Sequence, residues 1–240
     1  MHFHLPKPLH GWRAFAGEVG IIVLGVLIAL GAEQLVTIFH ERSTSIDARN
    51  SVRAEIGANL HLLMGRVEVE SCIERRLDEI GQLLAQTGEG VPRQHPSWIS
   101  RPTFWVTGSS NWQAATASGR AALLSHEDQI DLGRFFTGFD AVNREQEREQ
   151  IAWAHLRGLE DWPGALGSAG RMGFVEALQD ARYSDYRLRA SVETLLDGAR
   201  KERIAIPAGT NPHTRAICLP ITTSRTEAER MHVSPFGDPK

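Results

Sequence analysis

Cysteine is nearly absent. The chain holds two, Cys72 and Cys218, which excludes a disulfide-built scaffold and a thiolate metal cluster. Lysine is also scarce, three residues against twenty-three arginines, and the net charge is −3. That balance offers no basic surface for nucleic acid, and the arginine excess reads as GC-rich coding rather than phosphate recognition. No segment sustains the period-two alternation of a half-buried strand. There is no His-Glu-x-x-His, phosphate loop, Gly-x-Gly-x-x-Gly or Gly-x-Ser-x-Gly. His61, His155 and His213 have no partner at metal-ligand spacing, and His2, His4 and His10 sit near the start. The sequence therefore points to no cofactor and leans away from an enzyme, although a site assembled from distant residues stays open.

What is present is an apolar rod. Val19 to Ala32 carries no polar side chain, and Leu35 to Phe39 continue the pattern past Glu33 and Gln34. Val19–Phe39 is 21 residues, about 31 Å as a helix, which matches a hydrocarbon core of about 30 Å. Its thirteen Ile, Leu, Val and Phe residues contribute about −4 to −8 kcal/mol toward insertion. An acidic residue costs at most about 3 kcal/mol at the centre, and Glu33 lies off centre. A buried core helix and a cleaved signal peptide are the competing readings. The remaining chain offers only half-apolar helices, which could not easily surround such a rod. Glu18, directly before the apolar run, and the continuation to Phe39 argue against a signal peptide. The reading is an uncleaved signal anchor.

Phe15 to Ala32, read as FAGEVGIIVLGVLIALGA, resembles the opening of a group of uncharacterised single-span membrane proteins of proteobacteria. The Trp112-x-Ala-Ala-x-Ala-Ser-Gly119 stretch and the cysteine pair are similar to later parts of the same group. The resemblance implies a bacterial inner-membrane protein with a helical extramembrane domain. The group carries no established activity, so no reaction is implied.

Orientation is weakly encoded. Lys7 and Arg13 precede the span, and Arg42, Arg49 and Arg53 follow it among Glu41, Asp47 and Glu55. Counting Lys and Arg alone is ambiguous. The positive N-terminal arm and the cysteines tip the reading toward the N-terminus inside and the C-terminal domain in the periplasm.

Proline then divides the remainder. It falls at 6 and 8, at 92, 96 and 102, at 163, and from 207 onward, leaving 9–91, 103–162 and 164–206 free for helices. In the first stretch Ile56, Leu60, Leu63, Val67, Ile73, Leu77, Ile80 and Leu84 form one apolar stripe up to about Gln86. In the second, Ser109 or Ser110 caps a short helix stopping at Gly119, and Ser125-His-Glu-Asp128 opens a longer one. The third carries a helix from about Arg171 to Ile204. The expected fold is all-α: an arm (1–17), a transmembrane helix (18–40), an antiparallel helical bundle (41–206) and an irregular C-terminal coil tail (207–240).

Four features could carry function. Cys72 and Cys218 could bridge and pin the tail in an oxidising compartment, or remain two buried thiols. Glu18 and Glu33 lie about 60° apart around a helix, with Gly25, Ala29 and Ala32 along the same stripe. That face suits a helix–helix contact, or the two carboxylates simply reach the interfaces, with proton transport a third reading. Trp98, Phe104, Trp105 and Trp112 could line a ligand pocket or pack a loop over the bundle end. Asn143–Gln150, with five charges and no apolar residue, reads as a solvated helix face.

The reading that results is a membrane-anchored, non-enzymatic interaction or self-association module. Its partners would be the lipid bilayer and itself or another membrane protein. A periplasmic ligand-sensing domain acting through a separate partner is the alternative, and an anchored hydrolase is third.

Overall fold

The computed structural model describes residues 12–86, 96–160, 162, 164–209 and 215–230. The N-terminal arm before Trp12, the Pro92 loop and the last ten residues lie outside them. The described residues are all-helical. In order they form α1 (Trp12–Gln86), α2 (Ser110–Ala117), α3 (His126–Leu156), α4 (Ser168–Lys201) and α5 (Arg225–Arg230), with 3₁₀ turns at Arg120–Leu123, Arg157–Leu159 and Arg215–Cys218.

The apolar rod and the first stripe are one helix of 75 residues. No break falls at the expected boundary near residue 40, because Glu41 to Asp47 contains neither proline nor glycine to end a helix. The apolar side chains between Val19 and Phe39 are all exposed, and Ala48 is the first buried residue of α1. By length and composition this part of α1 could cross a membrane. Inside it, the Thr37 hydroxyl donates to the Glu33 carbonyl at 3.0 Å, so that polar group is satisfied within the helix.

From Val52 onward α1 turns a strict seven-residue face inward. Val52, Ile56, Asn59, Leu63, Arg66, Glu70, Ile73, Leu77, Ile80 and Leu84 step alternately by four and three. In α4 the same stepping runs from Phe174 through Asp185 to Ala199, and in α3 from Leu132 through Gln146 and Glu149 to Leu156. Such a repeat keeps one seam facing its neighbours along the whole helix. Val67, expected in the stripe, is 48% exposed, and Arg66 takes the inward position at 2%.

The seam builds two hydrophobic clusters. One gathers Val52–Leu63 of α1, Leu132–Val142 of α3 and Leu188–Ala199 of α4, with Trp105 and Ala115 added. The other gathers Ile73–Leu84, Ala152–Leu159 and Phe174–Ala181, closed by Ile99 and Ile217. Each fully buried Leu or Ile contributes about 1.5–3 kcal/mol. Contacts fix the neighbours: Glu145 of α3 meets Ser184 of α4, Arg49 and Arg66 of α1 meet Asp128 and Glu149 of α3, and Arg53 of α1 reaches the end of α4. The expected antiparallel bundle is corrected in part: α4 runs antiparallel to its neighbours, whereas α3 runs parallel to α1, because the extended segment before α2 carries the chain back along the bundle.

Local chemistry sets the helix ends. The Ser125 hydroxyl accepts from the Asp128 N–H, and Glu127 and Asp128 sit in the first turn of α3. The expected serine cap on α2 is replaced: the Glu55 carboxylate of α1 accepts the N–H groups of Asn111 and Trp112. Gly119, at φ +75°, turns the chain beyond α2 where a side chain would be strained. After α4, the Ile204 N–H bonds the Ala199 carbonyl and the Arg203 N–H bonds the Arg200 carbonyl, the paired bonds of a helix C-terminal lock. Arg203 holds the left-handed position (φ +51°) that glycine usually fills, and Arg53 donates to the carbonyls of Glu202 and Arg203.

The expected coil tail is corrected in part. Residues 215–218 form a 3₁₀ turn, and Ser224 accepts the Glu227 N–H at 3.3 Å to start α5. Ser224-x-x-Glu227 is itself a helix-start pattern hidden among prolines and threonines.

Because the exposed Arg203 is a non-glycine residue in the left-handed region, Arg203→Gly is expected to stabilise the protein by roughly 0.5–1 kcal/mol. Chemical denaturation in detergent reads this as a raised midpoint with helicity unchanged.

Candidate functional site: a buried ionic layer

Between the two hydrophobic clusters lies a layer of charge. The Arg66 guanidinium of α1 forks onto Glu149 of α3, donating at 2.9 Å to Oε2 and 2.8 Å to Oε1. It also donates to Asp185 Oδ1 of α4 at 2.6 Å. Both Arg66 and Glu149 are buried. Bidentate guanidinium–carboxylate geometry is the strongest ion pairing a protein interior offers. The Ser184 hydroxyl donates to Glu145 at 2.8 Å, and Arg148 closes the other side of Glu145 at 3.3 Å.

The layer extends along the α1–α4 seam. Arg189 donates to Glu74 at 2.6 Å and lies 3.7 Å from Glu70. Glu70 Oε1 is buried and accepts no hydrogen bond. Burial pushes the carboxyls of Glu149 and Asp185 above their ordinary range, with the Arg66 charge opposing it. Burial, reinforced by the Asp185 charge and opposed by Arg66 and Arg189, pushes Glu70 up to about 7.

This arrangement corrects the reading of Asn143–Gln150 as a solvated face. Glu145, Gln146 and Glu149 are all buried. The amides of the run also grip the backbone of the extended segment before α2. Gln146 donates to the Trp105 carbonyl and accepts its N–H, both at 2.8 Å. Asn143 does the same for Thr107, and Gln150 donates to the Pro102 carbonyl at 3.1 Å. Asn59 of α1 completes the row by bonding both the N–H and the carbonyl of Gly108. These side-chain amides satisfy the backbone as a neighbouring strand would.

Cys72 of α1 and Cys218 of the tail form a disulfide, with Cα atoms 4.7 Å apart across 146 residues of sequence. Two arginines beside it bind the same stretch. Arg75 donates to the Cys218 carbonyl, and Arg76 donates to the carbonyls of Leu219 and Ile99. Arg76 also bonds Glu79 at 2.9 Å and lies 5.9 Å from the Trp98 ring centre. Burial lowers the Arg76 pKa, partly offset by Glu79.

The remaining candidates are dispersed. Glu18, Gly25, Ala29, Ala32 and Glu33 are exposed along α1. Trp98 packs with Leu219, Trp105 is buried in the first cluster, and Trp112 stacks on Phe136 at 5.4 Å. Phe104 is half-buried beside them in sequence. None of these four aromatics lines the cavity of about 660 Å³ between α3 and α4, whose walls include Phe135, Gly138, Ala141, Tyr186, Ala190 and Leu195. No family model, no curated protein and no solved structure matches this chain.

Arg66→Met leaves Glu149 and Asp185 buried without their cation, and the expected loss is about 3–5 kcal/mol. Replacing all three together by Met or Leu is expected to recover most of that loss in the same denaturation assay. Cys72→Ser with Cys218→Ser is expected to destabilise by about 2–5 kcal/mol, the chain-entropy limit for so long a loop being about 5 kcal/mol. A thermal melt of the full chain with and without reductant reads the same difference.

Proposed function

We propose that this is a single-span inner-membrane protein whose extramembrane part, a bundle in which α4 runs antiparallel to α1 and α3, serves as an interaction or self-association module in the periplasm. The observation carrying the reading is the continuity of α1. One helix leads from an exposed apolar rod, long enough to cross a bilayer, directly into the seam of the bundle. A partner held at either end of α1 is therefore coupled to the other end through a continuous hydrogen-bonded helix. The Cys72–Cys218 disulfide supports an oxidising compartment for the domain. Glu18, Gly25, Ala29, Ala32 and Glu33 supply the contact face within the span. The resemblance to single-span proteobacterial membrane proteins agrees with this placement.

A second reading is favoured by one specific feature, the cavity of about 660 Å³ between α3 and α4. That volume falls in the ~300–1,000 Å³ range of small-molecule sites, and a ligand there would make the bundle a sensing domain that acts through a partner.

Reporter fusions after residue 60 and at the C-terminus test the placement. Periplasmic reporter activity at both positions is expected, and cytoplasmic activity at both overturns it. Purification in mild detergent then separates the two readings. A stoichiometric membrane protein or a dimer supports interaction, a retained small molecule supports sensing, and Glu33→Leu is expected to weaken any association through the span.

A further inference from the structure

The seam between α1 and α4 holds more carboxylates than cations. Glu70 and Glu74 of α1 and Asp185 of α4 bring carboxylate oxygens within 4.8 Å of one another. The charges facing them are few. Arg66 of α1 is committed to Glu149 of α3 and to Asp185. Arg189 of α4 holds Glu74 and stands 3.7 Å from Glu70. From α3 the seam meets Glu149 and, beyond it, Glu145, whose charge is answered by Arg148 and the Ser184 hydroxyl. Glu70, Glu74, Glu149 and Asp185 thus share the two guanidinium groups of Arg66 and Arg189.

Glu70 is the member least provided for. It occupies an inward position of the seven-residue repeat, its side chain is 16% exposed, and its Oε1 atom has no donor. Glu149 has a bidentate guanidinium, Asp185 has Arg66, and Glu74 has Arg189. When all four carboxyls are ionised, the uncompensated charge falls between α1 and α4, where like charges repel in a medium less polar than water.

We propose that Glu70 is a proton-operated latch between α1 and α4: protonated, it lets the carboxylates of the seam lie together, and ionised, it drives the two helices apart at the ionic layer. Neutral Glu70 can also donate, which converts a like-charge contact with Asp185 or Glu74 into an attractive one. The helix it would release is the one that continues into the apolar rod. The latch concerns the intrinsic behaviour of the fold and holds or fails independently of any partner or ligand.

The direction of the effect follows from linkage. The Glu70 carboxyl is raised to about 7 in the folded protein, against an ordinary value of 4.5. The folded state then binds the proton more tightly than the unfolded chain. Its contribution is fully present at low pH, is lost as pH rises from about 4.5 to about 7, and changes no further above that. Glu149 and Asp185, also raised, act with the same sign.

Thermal melts of the full chain in detergent between about pH 5 and about pH 8 test this. The melting temperature is expected to fall by on the order of 5 °C across that range. Glu70→Gln, which carries the donor permanently, is expected to remove at least half of the slope. Parallel profiles for the two proteins overturn the proposal. A carboxyl carbon-13 titration of Glu70 in the unmodified protein reads the same proton directly, whether or not the variant folds. A midpoint close to 7 supports the latch, and a midpoint below about 5.5 overturns it.

Discussion

The Arg66 guanidinium, with Glu149 and Asp185 closed around it, is the contact on which the arrangement of the helices depends. Each of the three long helices supplies one member, so the layer forms only when all three are at the correct height. Sliding α1, α3 or α4 by one seven-residue step would put Asn59 or Ile73, Val142 or Leu156, or Leu178 or Val192 in place of Arg66, Glu149 or Asp185 and leave the remaining ions without their partner. Breaking a buried pair in that way costs several kcal/mol, far more than the apolar contacts differ between one register and the next. The hydrophobic clusters on either side provide the bulk of the stability but say little about alignment, because Leu and Ile pack against many equivalents. The ionic layer is best understood as the device that selects one alignment.

The same layer explains why the seam is polar in its middle and apolar at both ends. Asn143, Gln146 and Gln150 lie on one side of α3 and hold the extended segment that precedes α2. Glu145 and Glu149 face α4 and α1. A single run of eight polar residues therefore serves two neighbours at once. One face satisfies a backbone that has no strand beside it, and the other pairs a buried guanidinium.

Much of the outline was readable in the sequence. Proline placement marked the helical stretches, Ser125 marked the start of α3, and the apolar rod stood out by length. What escaped were the places where a polar residue is buried by a distant partner. Stepping from Leu63 along α1 lands equally well on Arg66 or Val67, and hydropathy alone chooses Val67. The structure chooses Arg66 because Glu149 and Asp185, 83 and 119 residues away, are waiting for it. For the same reason Asn143–Gln150 read as a solvated face: its charge was visible and its partners were not. The strict alternation of fours and threes through Asn59, Arg66 and Glu70 was the signal that could have placed them inward. Glu55 capping α2 had no comparable signal, since the cap comes from a different helix.

The disulfide has a geometric effect as well as a stabilising one. Cys72 lies 33 residues beyond Phe39 on an unbroken helix, about 50 Å along its axis. Because Cys218 is tied there, the turn at Arg215–Cys218 is held far along α1 from the apolar rod. α1 acts as a mast, and the bridge fixes the height at which that turn is flown.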